Sequence, residues 1–198
     1  MTTAQTAIPL TIYAEATPNP ETLKFVLNKP LVKKGIFEFD NSTEAKNSPL
    51  AEMLFGFSFV KGVFIMNNFI SVTKDPAYKW VDLIHTLRQS IKDFVEEGTE
   101  IISQEYLDAQ EATGEDGAAD EDNAVVMIKQ ILNSQVKPAV EMDGGFIEFK
   151  SFEEGKVTLI LRGACSGCPS STVTLKAGIE GLLKRFVPEV KEVVAEAM

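Results

Sequence analysis

The chain has 198 residues, 44% hydrophobic and 24% charged, and no apolar run approaches the ~20 residues needed to cross a bilayer. Its net charge is −10, and the absence of a basic stripe gives nucleic-acid binding little support. The charge is local: eight acids and no base lie between residues 103 and 122, so the rest of the chain is close to neutral.

In chain order, Leu10 to Ala16 alternates like a strand, and Thr17-Pro-Asn-Pro20 is a turn in which two prolines fix φ and remove donors. Thr22 to Leu27 and Ile36 to Phe39 are the next strands. Ser48 as N-cap and Pro49 at the first position open a short helix to Phe55. Gly62 to Met66 and Phe69 to Lys74 flank Asn67-Asn68 as a hairpin. Residues 77–97 carry Trp80, Ile84, Leu87, Ile91 and Phe94 at helical spacing. An α+β domain, a sheet with helices packed on it, is expected over residues 1–102.

The acidic stretch 103–122 is expected to be an extended linker, because it holds too little apolar area to offset its ordering entropy. A second domain is expected over 123–198. Asn123 caps a helix carrying Val125, Ile128, Ile131 and Leu132, which Pro138 should end. Met142-Asp-Gly-Gly145 turns into a strand from Phe146 to Lys150, and Glu154-Gly155 turns into another from Lys156 to Arg162. The loop Gly163-Ala-Cys-Ser-Gly-Cys168 leads to a long helix that starts at Pro169 and stops before Pro188. Val190 to Ala195 closes an α-β-β-α-β order, so the fold class is α+β with two small domains.

Cys165 and Cys168 are the only cysteines and hold the chemistry. Two intervening residues let both sulfurs turn toward one metal ion or one cluster face. Pro169 places Cys168 at a helix N-terminus, where the dipole favours thiolates. The spacing by itself fits a metal or cluster site, a redox dithiol or incidental structural cysteines, and a dimeric zinc protein would use the same thiolates. Clusters take four thiolates and structural zinc four Cys/His ligands. The single histidine, His85, lies in the other domain. A closed site is therefore expected to be shared by a homodimer, two thiolates from each chain.

The glycine turn with Gly163-Ala-Cys-Ser-Gly-Cys-Pro-Ser-Ser171 resembles the C-terminal module of NifU found in the Nfu proteins. Thr17-Pro-Asn-Pro-Glu-Thr-Leu-Lys-Phe25, with Ser48-Pro-Leu-Ala51 and Gly62-Val-Phe64, resembles the Nfu N-terminal domain. The resemblance covers nearly the whole chain outside the linker. It implies a carrier rather than an enzyme, with Cys165 and Cys168 as ligands of a [4Fe–4S] cluster; [2Fe–2S] is the other type four thiolates fit. It also implies a donor scaffold and apo-protein recipients as partners. One departure is visible: the family's turn usually reads Asp-Gly-Gly-Asp, and Phe146 stands here in place of the second acid.

The remaining polar candidates have plain readings. Asp143 serves a turn, or shapes access to the cysteine loop. Arg162 is a solvated strand end, or offsets cluster charge, and Ser170, Ser171 and Thr172 cap the helix, or donate hydrogen bonds to cluster sulfurs. His85, beside the apolar stripe of its helix, is structural or solvated, and Trp80 lies in a core. The N-terminus has no basic or apolar targeting region, which leads to the expectation of a cytoplasmic protein in reducing surroundings.

Overall fold

The computed structural model describes residues 9–113, 123–166 and 169–197. The N-terminal half is a five-stranded antiparallel sheet of order β1-β2-β5-β4-β3. Its strands are β1 (Ile12–Ala16), β2 (Thr22–Leu27), β3 (Ile36–Phe39), β4 (Val60–Met66) and β5 (Phe69–Lys74). One face carries Leu23, Phe25, Phe37, Val63, Ile65, Ile70 and Val72 against α1 (Pro49–Phe55) and α2 (Trp80–Glu96). Ser48 caps α1 as expected: its hydroxyl accepts from the Ala51 N–H at 3.1 Å and donates to the Ile101 carbonyl at 2.5 Å. Asn67 takes the positive φ, 47°, that the β4–β5 turn requires.

Residues 104–113, expected within the linker, are instead a helix, α3 (Gln104–Thr113). Glu105 and Asp108 face solvent, while Tyr106 rests against Phe37 and Phe39, with ring centroids 6.3 and 6.4 Å away, and Leu107 packs on the same core. Two apolar side chains docked on an existing core suffice to order a turn or two that composition marks as solvated. Residues 114–122 lie outside the described residues.

The C-terminal half has the expected order. Helix α4 (Asn123–Ile131) buries Ile128, Ile131 and, just beyond its end, Leu132. It does not stop at Pro138. A π-helical turn, Leu132–Val136, joins it to α5 (Lys137–Met142). The wider π turn moves backbone away from the proline ring, and near the start of a helical segment Pro138 lacks only a donor that needs no partner.

The sheet has order β6-β7-β8, with β6 (Gly145–Glu153), β7 (Lys156–Gly163) and β8 (Glu192–Ala197). Glu154 and Gly155, at φ 53° and 88°, form the tight turn between β6 and β7. The crossover from β7 to parallel β8 is α6 (Pro169–Phe186), which buries Ile179 and Leu183. The Glu180 carboxylate on α6 accepts from Lys184 and from the Val193 N–H, which lowers its pKa and ties the helix to β8.

The other face of the N-terminal sheet lies against the C-terminal half. Val26, Phe64 and Phe69 enclose Phe146 there, so this sheet is buried on both faces.

Candidate functional site

Cys165 lies in the turn that follows β7. Gly163 opens the turn at φ 67°, and the Ser166 N–H and hydroxyl both donate to the Gly163 carbonyl, at 3.1 and 2.8 Å. The glycine turn before β6 meets this loop directly. The Ala164 N–H donates to the Gly144 carbonyl at 3.2 Å. A methyl group on Gly145 would lie 2.7 Å from Cys165 Sγ and 2.8 Å from the Arg162 carbonyl oxygen. Gly145 is therefore glycine because the cysteine sulfur occupies the space a side chain would take. Gly144 has φ 79°, which favours glycine on backbone grounds alone. The Asp143 turn thus shapes the cysteine loop, beyond linking a helix to a strand.

Cys165 is 5% exposed and belongs to the C-terminal core. Burial, with the Asp143 charge as the lesser cause, pushes its thiol up to about 11. Cys168 and Gly167 lie outside the described residues, as do the side chains of Ser170, Ser171 and Thr172. Arg162 is half-buried, with a guanidinium nitrogen 3.9 Å from Glu148. His85 is exposed on α2, far in sequence and in fold from the loop. Trp80 is only half-buried, and its indole N–H donates to the Pro20 carbonyl at 2.9 Å. Among the described residues, no three His, Cys, Asp or Glu side chains converge on a point where a metal ion could sit.

The sequence reading misses a second set of residues, all from the N-terminal sheet. Glu15, Lys24, Ser71, Phe64 and Glu38 are successive cross-strand partners, one from each strand, and form a single row across the sheet. The row meets the glycine turn and the cysteine loop along its length. The Lys24 ammonium donates to the Glu141 and Met142 carbonyls, both at 3.0 Å, and lies 3.4 Å from the Glu15 carboxylate. The Ser71 hydroxyl donates to the Gly144 carbonyl at 2.7 Å. Phe64 Cγ would lie 3.0 Å from a methyl on Gly163. The Glu38 carboxylate accepts from the Gly163 N–H at 2.7 Å.

Burial is the main reason the Glu38 pKa is raised to about 7; the Gly163 hydrogen bond opposes it, Asp40 adds to it and Arg162 opposes it. The row had a faint signal in the sequence. Lys24 and Ser71 are polar residues in strands whose other positions are mostly apolar, and period two puts them on the face opposite Phe25 and Ile70.

Comparison with known proteins identifies both halves of the chain. Residues 12–98 match the N-terminal domain of scaffold protein Nfu/NifU, and residues 128–194 match the NifU-like domain. The chain is 41% identical over 189 residues to NifU-like protein 4, mitochondrial, of Arabidopsis thaliana, covering 93% of this chain and 65% of that protein. It is 39% identical over 183 residues to the human NFU1 iron-sulfur cluster scaffold homolog, mitochondrial, covering 92% and 70%. The solution structure of a NifU-like protein from Saccharomyces cerevisiae aligns with 52% of this chain and 94% of its own, at 20% identity and a TM-score of 0.45.

These relatives are mitochondrial proteins, which overturns the cytoplasmic location expected from the N-terminal composition. Targeting information sits in processed segments outside the folded domains, so the composition of ten residues does not decide a compartment. With both domains matched in order, and 39% identity to a relative of which it spans 70%, the chain belongs to the Nfu family of NifU-like iron–sulfur cluster scaffold proteins.

Proposed function

We propose that this chain is a carrier rather than an enzyme, and that its cargo is a [4Fe–4S] cluster held by Cys165 and Cys168 of two chains. The cluster is received from a donor scaffold and passed to apo-proteins. The observation that carries the reading is Gly145, whose missing side chain leaves room for Cys165 Sγ, so that the glycine turn is built around the sulfur. Four thiolates are the ordinary ligand set of such a cluster, and one chain holds two cysteines, so a two-fold pair of chains completes it. Iron displaces the thiol proton on binding, and a coordinating cysteine stays deprotonated whatever its pKa in the empty site.

The raised pKa of Cys165 also counts against a thiol–disulfide oxidoreductase that uses this residue as its attacking group. Such a thiol works best with a pKa near ambient pH, and this one is held near 11. A cluster shared at an interface is suited to delivery, because an incoming thiolate can replace one ligand at a time.

Anaerobic reconstitution with iron and sulfide tests the proposal. Equal iron and sulfide, four of each per two chains, should accompany a shift from monomer to dimer in light scattering. A full cluster on a monomer, or zinc retained in preference to iron and sulfide, refutes it.

A further inference from the structure

We infer that the outer face of the N-terminal sheet is a built-in cover for the cysteine loop, closed in the empty chain and lifted when two chains share a cluster. The inference rests on the shared-cluster reading for its purpose and on the geometry of one interface for its existence. The cross-strand row Glu15–Lys24–Ser71–Phe64–Glu38 runs across all five strands, and four of its members touch the glycine turn or the loop. Its polar contacts end on backbone groups: three carbonyls at residues 141, 142 and 144, and the N–H of Gly163. Backbone carbonyls and an N–H left inside an interface need partners, and the row supplies one for each. Such a match of donor to carbonyl and acceptor to N–H is specific to this turn and this loop.

Phe146 supplies the apolar part of the same contact. It stands where the family resemblance predicts an acid, it is enclosed by Val26, Phe64 and Phe69, and the Lys137 ammonium lies 5.0 Å from its ring centroid. An aspartate there would set a carboxylate against two phenyl rings and a valine, so the substitution at this position suits a docked sheet. The consequence for the cargo is steric. Four thiolates from two chains meet on one cluster only if two cysteine loops face one another closely. A five-stranded sheet laid along one loop, with Phe64 and Glu38 against Gly163 two residues from Cys165, stands in the way of a second loop. In the cover we infer, the docked sheet occupies the side of the loop that a second loop approaches.

The test uses the full chain, with two variants that act on opposite sides of the interface. Phe146→Asp places a charge in the apolar pocket, and Lys24→Met removes the ammonium while keeping its apolar stem. Small-angle scattering reads compactness, and amide exchange at Gly163 reads the Glu38 contact, both without any cluster. The empty parent should be compact, with a radius of gyration near the ~16 Å of a single globule of this length. Each variant should be larger and should exchange the Gly163 amide about tenfold faster or more. Loading the parent with iron and sulfide should remove the Gly163 protection as the dimer forms.

Two results overturn the cover. One is that both variants, folded by circular dichroism, stay as compact and as protected as the parent. The other is that the loaded dimer keeps Gly163 protected. A parent that takes up no iron refutes instead the cluster reading, and with it the cover's purpose, while scattering and exchange still report whether the sheet is docked.

Discussion

Gly145→Ala isolates the geometry on which the site reading stands. The added methyl would sit 2.7 Å from Cys165 Sγ, 2.8 Å from the Arg162 carbonyl oxygen and 3.1 Å from Cys165 Cβ. Side chains give way easily, but the Arg162 carbonyl belongs to β7, paired with β6 at this end through Gly145 and Gly163. Relief therefore requires the strands to part or the cysteine loop to move, and the cost falls near the middle of the ~1–3 kcal/mol typical of overpacking. At about 2 kcal/mol, amides of β6 and β7 that exchange through opening of this module should exchange about thirtyfold faster.

Hydrogen exchange is the assay of choice, because the only Trp and all three Tyr lie before residue 107 and report on the N-terminal half. Iron uptake after reconstitution should fall in parallel, since the same clash displaces Cys165, the ligand we propose. Gly178→Ala in α6 is the control. Nothing lies within 4 Å of its added methyl, so it should gain the ~0.5–1 kcal/mol of replacing a helical glycine. A Gly145→Ala protein whose β6 and β7 amides exchange within about threefold of the parent, with full iron uptake, would refute the claim that the turn is built around the sulfur.

Three further outcomes are expected. Glu38 has an ordinary carboxyl pKa of 4.5 that rises to about 7 in the docked chain, so docking favours its protonated form. That contribution is fully present below pH 4.5 and is lost as pH rises through 7. Protection of the Gly163 amide, corrected for intrinsic exchange, should therefore weaken between pH 5 and 8, and Glu38→Gln should flatten the profile. Ser48→Ala removes a fully buried hydroxyl that both accepts from Ala51 and donates to Ile101. It should cost about 1–2 kcal/mol in denaturant unfolding followed by Trp80 fluorescence; an unchanged midpoint would contradict the capping role. Cys165→Ser and Cys168→Ser each remove two of four thiolates from a shared cluster, so iron content should drop to background in both. A disulfide-linked adduct trapped by only one of the variants would favour the oxidoreductase instead.

Most of the fold was legible in the sequence because its signals are local. Pro49 after Ser48, Asn67 between two apolar runs, and Glu154-Gly155 each fix a turn or cap within a few residues, and the structure has all three. The misreadings are equally physical. Pro138 predicts a helix end only if the preceding turns are α-helical, and a π turn, which no residue type announces, lets the helix pass. Residues 104–113 are acidic enough to read as linker, yet Tyr106 and Leu107 find an apolar core formed by strands some seventy residues earlier in the chain. Composition counts charge in a window; it does not know that a docking place exists elsewhere.

The candidate site divides along the same line. Cys165 and the two glycines of its turn stand out in any reading of the chain, since cysteine is scarce and paired glycine marks a special backbone. Glu38, Lys24 and Ser71 do not, because their meaning lies in register. Only once Lys24 is paired with Ser71, Ser71 with Phe64 and Phe64 with Glu38 do three ordinary polar residues become one line of donors and an acceptor. Phe146 shows how far local reading reaches. As a sequence feature it is one departure from a familiar turn, which suggests altered surface recognition. In the fold, the surface it recognises is the chain's own N-terminal sheet, through Val26, Phe64 and Phe69. An apolar residue in place of an acid beside the cysteine loop is favoured where another element covers it. Here the covering element is encoded more than seventy residues upstream, and the substitution and the row that meets it make physical sense only together.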